Sequence, residues 1–199
     1  MTVKVCGITR IDDAQAAADL GVHALGFVFW PDSPRAIGPA HAEAIIGTLP
    51  PFITPVGVFV DPTAMLVATC RDAGIQVAQI VGEVPALPAG MALLRAVTLA
   101  ADGTGITPEV PGLGPVLVDA HDPVRRGGTG QTTDWRAVAR IARQRPVILA
   151  GGLRPDNVGD AITIAQPAGV DVSSGVERAP GLKDHAQLAA FVAAVRAKA

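Results

Sequence analysis

Residues 146–176 read PVILAGGLRPDNVGDAITIAQPAGVDVSSGV. The first apolar run, Pro146 to Ala150, stops at Gly151-Gly152. An Ala-rich helical pattern follows over Pro155 to Ala165. A second apolar run, Val170 to Ser173, stops at Ser174-Gly175. Both runs are short, continuous and rich in β-branched residues, as strands are when helices cover both faces of their sheet. Strand, helix and strand in that order imply two parallel neighbours joined by a right-handed crossover.

The same unit recurs toward the N-terminus. Strands are predicted over Val3 to Cys6, Ala24 to Phe29, Pro55 to Val60, Ile75 to Val81, Leu93 to Val97 and Val116 to Asp119. Helices are predicted over Asp12 to Leu20, Pro39 to Leu49, Thr63 to Ala73, Asp134 to Gln144 and His185 to Lys198, with Asp134 as an N-cap. Two segments break the rhythm. Glu83 to Gly90 carries two prolines, and Ala100 to Pro115 is rich in glycine and proline, so the fourth and fifth helices are expected to be reduced. Eight strands with at least six helices predict a single-domain α/β protein over residues 1–199, a (β/α)8 TIM barrel near the lower size limit of that fold. An open doubly wound sheet is the alternative, but no GxGxxG follows the first strand.

The 199 residues carry a formal net charge of −2 and no block of lysine and arginine, which disfavours nucleic acid and anionic membrane as partners. No signal peptide and no transmembrane helix are expected, so a cytoplasmic protein is the default. The chain is expected to act as a monomer, with a dimer left open. No HxH, HExxH or Cys/His cluster is present, so neither metal nor cofactor is expected.

In such a barrel the functional face lies at the C-terminal ends of the strands. Gly151 and Gly152 end the seventh strand, and Ser173, Ser174 and Gly175 end the eighth. These turns could simply be tight, or their backbone N–H groups could bind a phosphate. Cys6 ends the first strand and is either a small buried hydrophobe or a thiolate base at the pocket floor. Asp119 ends the sixth. It could be a general acid, a helix cap, or a partner of Arg125 or Arg126. Arg35, after the second strand, could grip a carboxylate or be an ordinary surface arginine. Gln79 and Asp171 point toward the same mouth as candidate substrate contacts. Lys4 shares a face with Cys6 and is expected either to pair with an interior acid, Asp171 being one candidate, or to form a Schiff base. The segment 127–132, GGTGQT, lacks a Walker lysine and is taken as a loop that closes over the site.

At these residues the sequence resembles the phosphoribosylanthranilate isomerase family. The similarity lies in Lys4-Val5-Cys6-Gly7-Ile8-Thr9, Gly26-Phe27-Val28-Phe29 with Ser33-Pro34-Arg35, and Val56-Gly57-Val58-Phe59-Val60. It continues through Asp119 with Gly127-Gly128-Thr129-Gly130 and Asp134-Trp135, Gly151-Gly152-Leu153, and Asp171 to Glu177 with Pro180-Gly181 and Lys183-Asp184. The resemblance implies an isomerase of tryptophan biosynthesis acting on a phosphoribosyl substrate, with Cys6 as general base, Asp119 as general acid and Arg35 on the anthranilate. One departure stands out: the family usually ends its fourth strand Gln-Leu-His-Gly, whereas this chain has Gln79-Ile80-Val81-Gly82. Other phosphate-binding barrels remain alternatives: an indoleglycerol phosphate synthase, a Schiff-base aldolase using Lys4, or a non-enzymatic phosphate-ligand sensor.

Overall fold

The computed structural model describes residues 1–99, 106–107, 110, 112–119 and 134–198. Eight parallel strands close on themselves. They are β1 (Thr2–Cys6), β2 (Ala24–Val28), β3 (Thr54–Val60), β4 (Val77–Val81), β5 (Ala92–Leu99), β7 (Val116–Asp119), β8 (Val147–Ala150) and β9 (Gly169–Val172). Their order around the barrel is β1, β2, β3, β4, β5, β7, β8, β9 and back to β1. A two-residue strand, β6 (Ile106–Thr107), pairs antiparallel with β5 in the segment where a reduced fifth helix was expected. The remainder of that segment falls largely outside the described residues.

Six α-helices pack on the outside: α1 (Ile11–Asp19), α2 (Pro39–Ile46), α3 (Ala64–Asp72), α4 (Trp135–Ala142), α5 (Val158–Ala165) and α6 (His185–Arg196). Their starts are chemically marked. Pro39 occupies the first turn of α2, where its missing N–H costs nothing. Thr63, Asp134 and Asp184 accept backbone N–H bonds at the starts of α3, α4 and α6. The helix starting at Val158 begins later than the pattern suggested. Arg154 N–H donates to Asn157 Oδ1 and Asn157 Nδ2 donates to the Gly152 carbonyl, so residues 154–157 form a turn first.

Residues 82–91 contain no helix at all, which goes beyond the reduction expected for the fourth helix. Pro85 and Pro88 each remove an N–H donor, and eight residues cannot build a helix around two such gaps.

Each strand alternates its two faces between two cores. Leu25, Phe27, Phe59, Ile80, Val97, Val118 and Leu149 pack outward against the helices. Leu94, Ala96, Leu117 and Ala150 fill a smaller core inside the barrel. This double burial makes the strands read as unbroken apolar runs. A cavity of about 410 Å³ opens at the N-terminal end, lined by Thr2, Lys4, His23, Thr54 and Pro115 among others, away from the strand ends that carry Cys6 and Asp119. Among the described residues, no helix is long and apolar enough to cross a membrane.

Candidate active site

The first strand delivers Lys4 and Cys6 to the barrel interior, and the space they share is set by a glycine. Cys6 pairs in register with Gly26 on β2. A Cβ on Gly26 would come within 2.8 Å of Cys6 Sγ and 3.1 Å of Lys4 Nζ, so both side chains occupy the room that glycine leaves. Lys4 Nζ donates to Asp171 Oδ2 at 2.9 Å, and both residues are buried. Asp171 is therefore the interior acid that partners Lys4. Its Oδ1 has no partner among the described residues. Burial opposes charge on Lys4, but attraction to Asp171 and to Cys6 outweighs it and holds the ammonium above the ordinary lysine pKa. A charged, ion-paired amine is not a nucleophile, which removes the basis for a Schiff-base aldolase. Burial pushes the Cys6 thiol up, and the nearby Lys4 ammonium offsets only part of that rise.

The second strand hands its chain to the loop that carries Arg35. The aliphatic stem of Arg35 lies across Gly7, where an added Cβ would come within 2.6 Å of Arg35 Cδ. Gly7 also has φ +77°, a conformation that costs other residues strain. The guanidinium meets Glu177, with Nε at 3.0 and 3.1 Å from its two oxygens and Nη2 at 2.6 Å from Oε2. These bonds raise the Arg35 pKa further. Lys183 lies beneath, with none of its side chain exposed, and donates to the carbonyls of Cys6 and Ser173 and to Glu177 Oε1. Burial lowers the pKa of Lys183 despite the pull of Glu177. Burial would raise Glu177, yet the bonds from Arg35 and Lys183 win and hold its carboxyl below the usual range.

Asp119 ends β7. Leu117, two residues earlier, belongs to the inner core, so alternation turns Asp119 inward as well. Gln79 sits on β4 with 6% exposure, and its Oε1 has no partner among the described residues. Val81 ends that strand, partly exposed, and supplies no imidazole. At the other side of the mouth, Gly151 and Gly152 adopt φ +86° and +65°. A Cβ on Gly152 would meet nothing within 4 Å among the described residues. Residues 174–176 form a single 3-10 turn after β9, and Gly175 packs so tightly that a Cβ there would collide with the Leu153 carbonyl. The expected closing loop 127–132, together with His121, Arg125 and Arg126, lies outside the described residues. Among the described residues, no three His, Cys, Asp or Glu side chains are grouped to hold a metal.

Cys6, Asp119 and the two glycine turns therefore share one end of one barrel, and the family model for N-(5'-phosphoribosyl)anthranilate isomerase matches residues 3–194. The chain belongs to the phosphoribosylanthranilate isomerase family. A relative from Nitrosospira multiformis named N-(5'-phosphoribosyl)anthranilate isomerase is 43% identical, over 97% of this chain and 95% of its own length. The crystal structure of phosphoribosyl anthranilate isomerase from Thermotoga maritima superposes with a TM-score of 0.84 at 33% identity, covering 99% of both chains. Another structure of the family enzyme, in complex with reduced 1-(o-carboxyphenylamino)-1-deoxyribulose 5-phosphate, superposes with a TM-score of 0.80 at 31% identity over 99% of both chains. The expected barrel and the expected enzyme class, a phosphoribosylanthranilate isomerase, both stand.

Two residues of this isomerase were not singled out by sequence reasoning. Lys183 and Glu177 entered only as parts of quoted motifs. Each has a decisive partner more than 140 positions away, Arg35 for Glu177 and the Cys6 carbonyl for Lys183. Local pattern carries no signal for such pairings. The one available hint was composition: only three lysines exist, and Lys183 is flanked by an apolar residue and a helix cap.

Proposed function

We propose that Cys6 is the general base and Asp119 the general acid of an Amadori rearrangement of N-(5'-phosphoribosyl)anthranilate. The observation that carries this reading is topological. Cys6 and Asp119 end β1 and β7 with side chains turned into the same mouth, and only β9 and β8 lie between those strands. The turns after β8 and β9 are the ones formed by Gly151-Gly152 and Ser173-Ser174-Gly175. A phosphate held there would hang the sugar between the two proton-transferring groups.

The steps follow from that placement. Asp119 gives its carboxylic proton to the furanose ring oxygen, the C1′–O bond breaks, and the anilino nitrogen lone pair forms the C1′=N iminium. Cys6, as thiolate, takes the proton from C2′, and those electrons form the C1′=C2′ enolamine. Return of a proton to C1′ and loss of the enol proton give the ketone, 1-(2-carboxyphenylamino)-1-deoxyribulose 5-phosphate. Lys4 favours the thiolate at the moment it is needed. Arg35 holds the anthranilate carboxylate, and Gln79 offers its unpaired Oε1 to a sugar hydroxyl. No step calls for a cofactor. All these residues come from one chain, so a monomer suffices, working in the cytoplasm as one catalytic domain over residues 1–199.

The test is consumption of phosphoribosylanthranilate followed by anthranilate fluorescence. Cys6→Ser and Asp119→Asn should each lower kcat by on the order of 10²-fold or more while leaving the fold intact. Turnover near wild type in either variant removes that residue from its role.

A further inference from the structure

Arg35 is half-buried and already occupied. Glu177 meets it side-on, through Nε and Nη2. A guanidinium has five N–H groups, so this contact leaves both Nη1 hydrogens and one on Nη2. The remaining Nη2 hydrogen and one of the Nη1 hydrogens form the end-on edge, which is the fork that matches a second carboxylate. The carboxylate of Glu177 is itself fixed. Oε1 accepts from Lys183 Nζ at 2.8 Å and from Gly181 N–H at 3.3 Å, and its side chain is only 4% exposed. Lys183 in turn holds the carbonyls of Cys6 and Ser173. Glu177 thus sits at the junction of the ring-binding arginine, the end of the base-carrying strand and the turn after β9.

We infer that Glu177 is a positioning residue, which fixes the orientation of Arg35 so that its free edge is presented to the anthranilate carboxylate. The inference rests on the reading of Arg35 as the anthranilate contact. Its physical basis is pre-organisation. An arginine that must be ordered on binding loses affinity that a pre-set one keeps, on the order of 10-fold for one rotamer-rich side chain. Without the negative charge of Glu177, the cations of Arg35 and Lys183 repel each other, and Arg35 is released toward solvent.

The experiment compares two probes. One is reduced 1-(o-carboxyphenylamino)-1-deoxyribulose 5-phosphate, and the other is its phenylamino counterpart lacking the carboxylate. Dissociation constants are measured for the wild type, Glu177→Gln, Glu177→Asp and Arg35→Met. Wild type should prefer the carboxylated probe. Both Glu177 variants should bind it on the order of 10-fold more weakly while binding the phenylamino probe as wild type does. A merely structural role would weaken both probes alike, and that result overturns the inference, as does unchanged binding of the carboxylated probe. The aspartate is one methylene short of Arg35, so it keeps the charge near Lys183 and serves if the glutamine variant does not fold. If Arg35→Met itself shows no loss of preference, the reading of Arg35 falls and the inference with it. If Arg35→Met loses preference and the Glu177 variants keep it, only the inference falls.

Discussion

Gly26→Ala should silence the enzyme while leaving the barrel standing. The new methyl carbon would sit 2.8 Å from Cys6 Sγ and 3.1 Å from both Cys6 Cα and Lys4 Nζ. Non-bonded carbon contacts settle at about 3.5–4.0 Å, so Sγ must retreat by about 0.7 Å or more. The backbone cannot take up that shift. Gly7 and Ile8 both donate to the Gly26 carbonyl at 3.0 Å, which pins the turn after Cys6 against β2. The side chains must move instead, and Lys4 can do so only by straining its bond to Asp171. Overpacking of this kind costs about 1–3 kcal/mol, which for a domain of this size lowers Tm by about 2–4 °C per kcal/mol. A misplacement of about 1 Å at a reacting group costs about 10²-fold in rate. The catalytic loss therefore dominates. Fluorescence-monitored steady-state kinetics should show kcat down about 10²-fold, with KM changed far less, because the phosphate and anthranilate contacts lie elsewhere. Thermal melting should show a cooperative transition only several degrees lower. A kcat within twofold of wild type would refute the reasoning, because the packing of Gly26 against Cys6 would then have no hold on the base.

Lys4→Met removes the cation that lowers the Cys6 pKa, so less thiolate exists at any given pH. The rising limb of kcat/KM against pH should move to higher pH, and a limb that stays in place refutes the coupling. The same variant strands Asp171 and should cost about 3–5 kcal/mol in a denaturant melt, with Lys4→Met/Asp171→Asn recovering part of it. Burial pushes the Cys70 thiol up to about 12, above its value in the unfolded chain. The unfolded state therefore releases that proton first, and stability should fall as pH rises from about 9 toward 12, less steeply in Cys70→Val. Cys70 is fully buried, so iodoacetamide at pH 8 should label it only after unfolding; labelling of Cys70 in the native protein would refute this. Gly175→Ala drives a methyl into the Leu153 carbonyl and should raise KM and weaken competition by inorganic phosphate, with kcat changed far less. A wild-type KM would mean that this turn does not hold the phosphate.

The barrel was legible because burial on both faces leaves unbroken apolar strands, and eight of them fall at the positions the pattern gave, within a residue or two at most ends. Alternation also put Lys4 and Cys6 on one face and made Asp171 a candidate partner for Lys4, as observed. Helix boundaries were less legible where side chains intervene, as at Asn157, whose bonds to the backbone delay the start of the helix after β8. Prolines warned of trouble after β4 without revealing that no helix forms there. In the site, Cys6, Asp119 and the glycine turns were visible because strand ends expose them. The Glu177–Lys183 junction was not, because its energetics depend on burial and on partners that only the closed barrel supplies.

The distances along the chain between paired charges bear on how the protein is made. Lys4 finds its counter-ion 167 residues later, the Cys6 carbonyl is held by a lysine 177 residues later, and Arg35 waits 142 residues for Glu177. At a synthesis rate of about 5–20 residues per second, about 8–33 s separate the polymerisation of Lys4 from that of Asp171. Burying an unpaired ammonium is strongly unfavourable, so the N-terminal strands cannot settle into a closed interior during that interval. The Lys4 charge therefore also disfavours closing an interior around the N-terminal strands before Asp171 is present to pair with it.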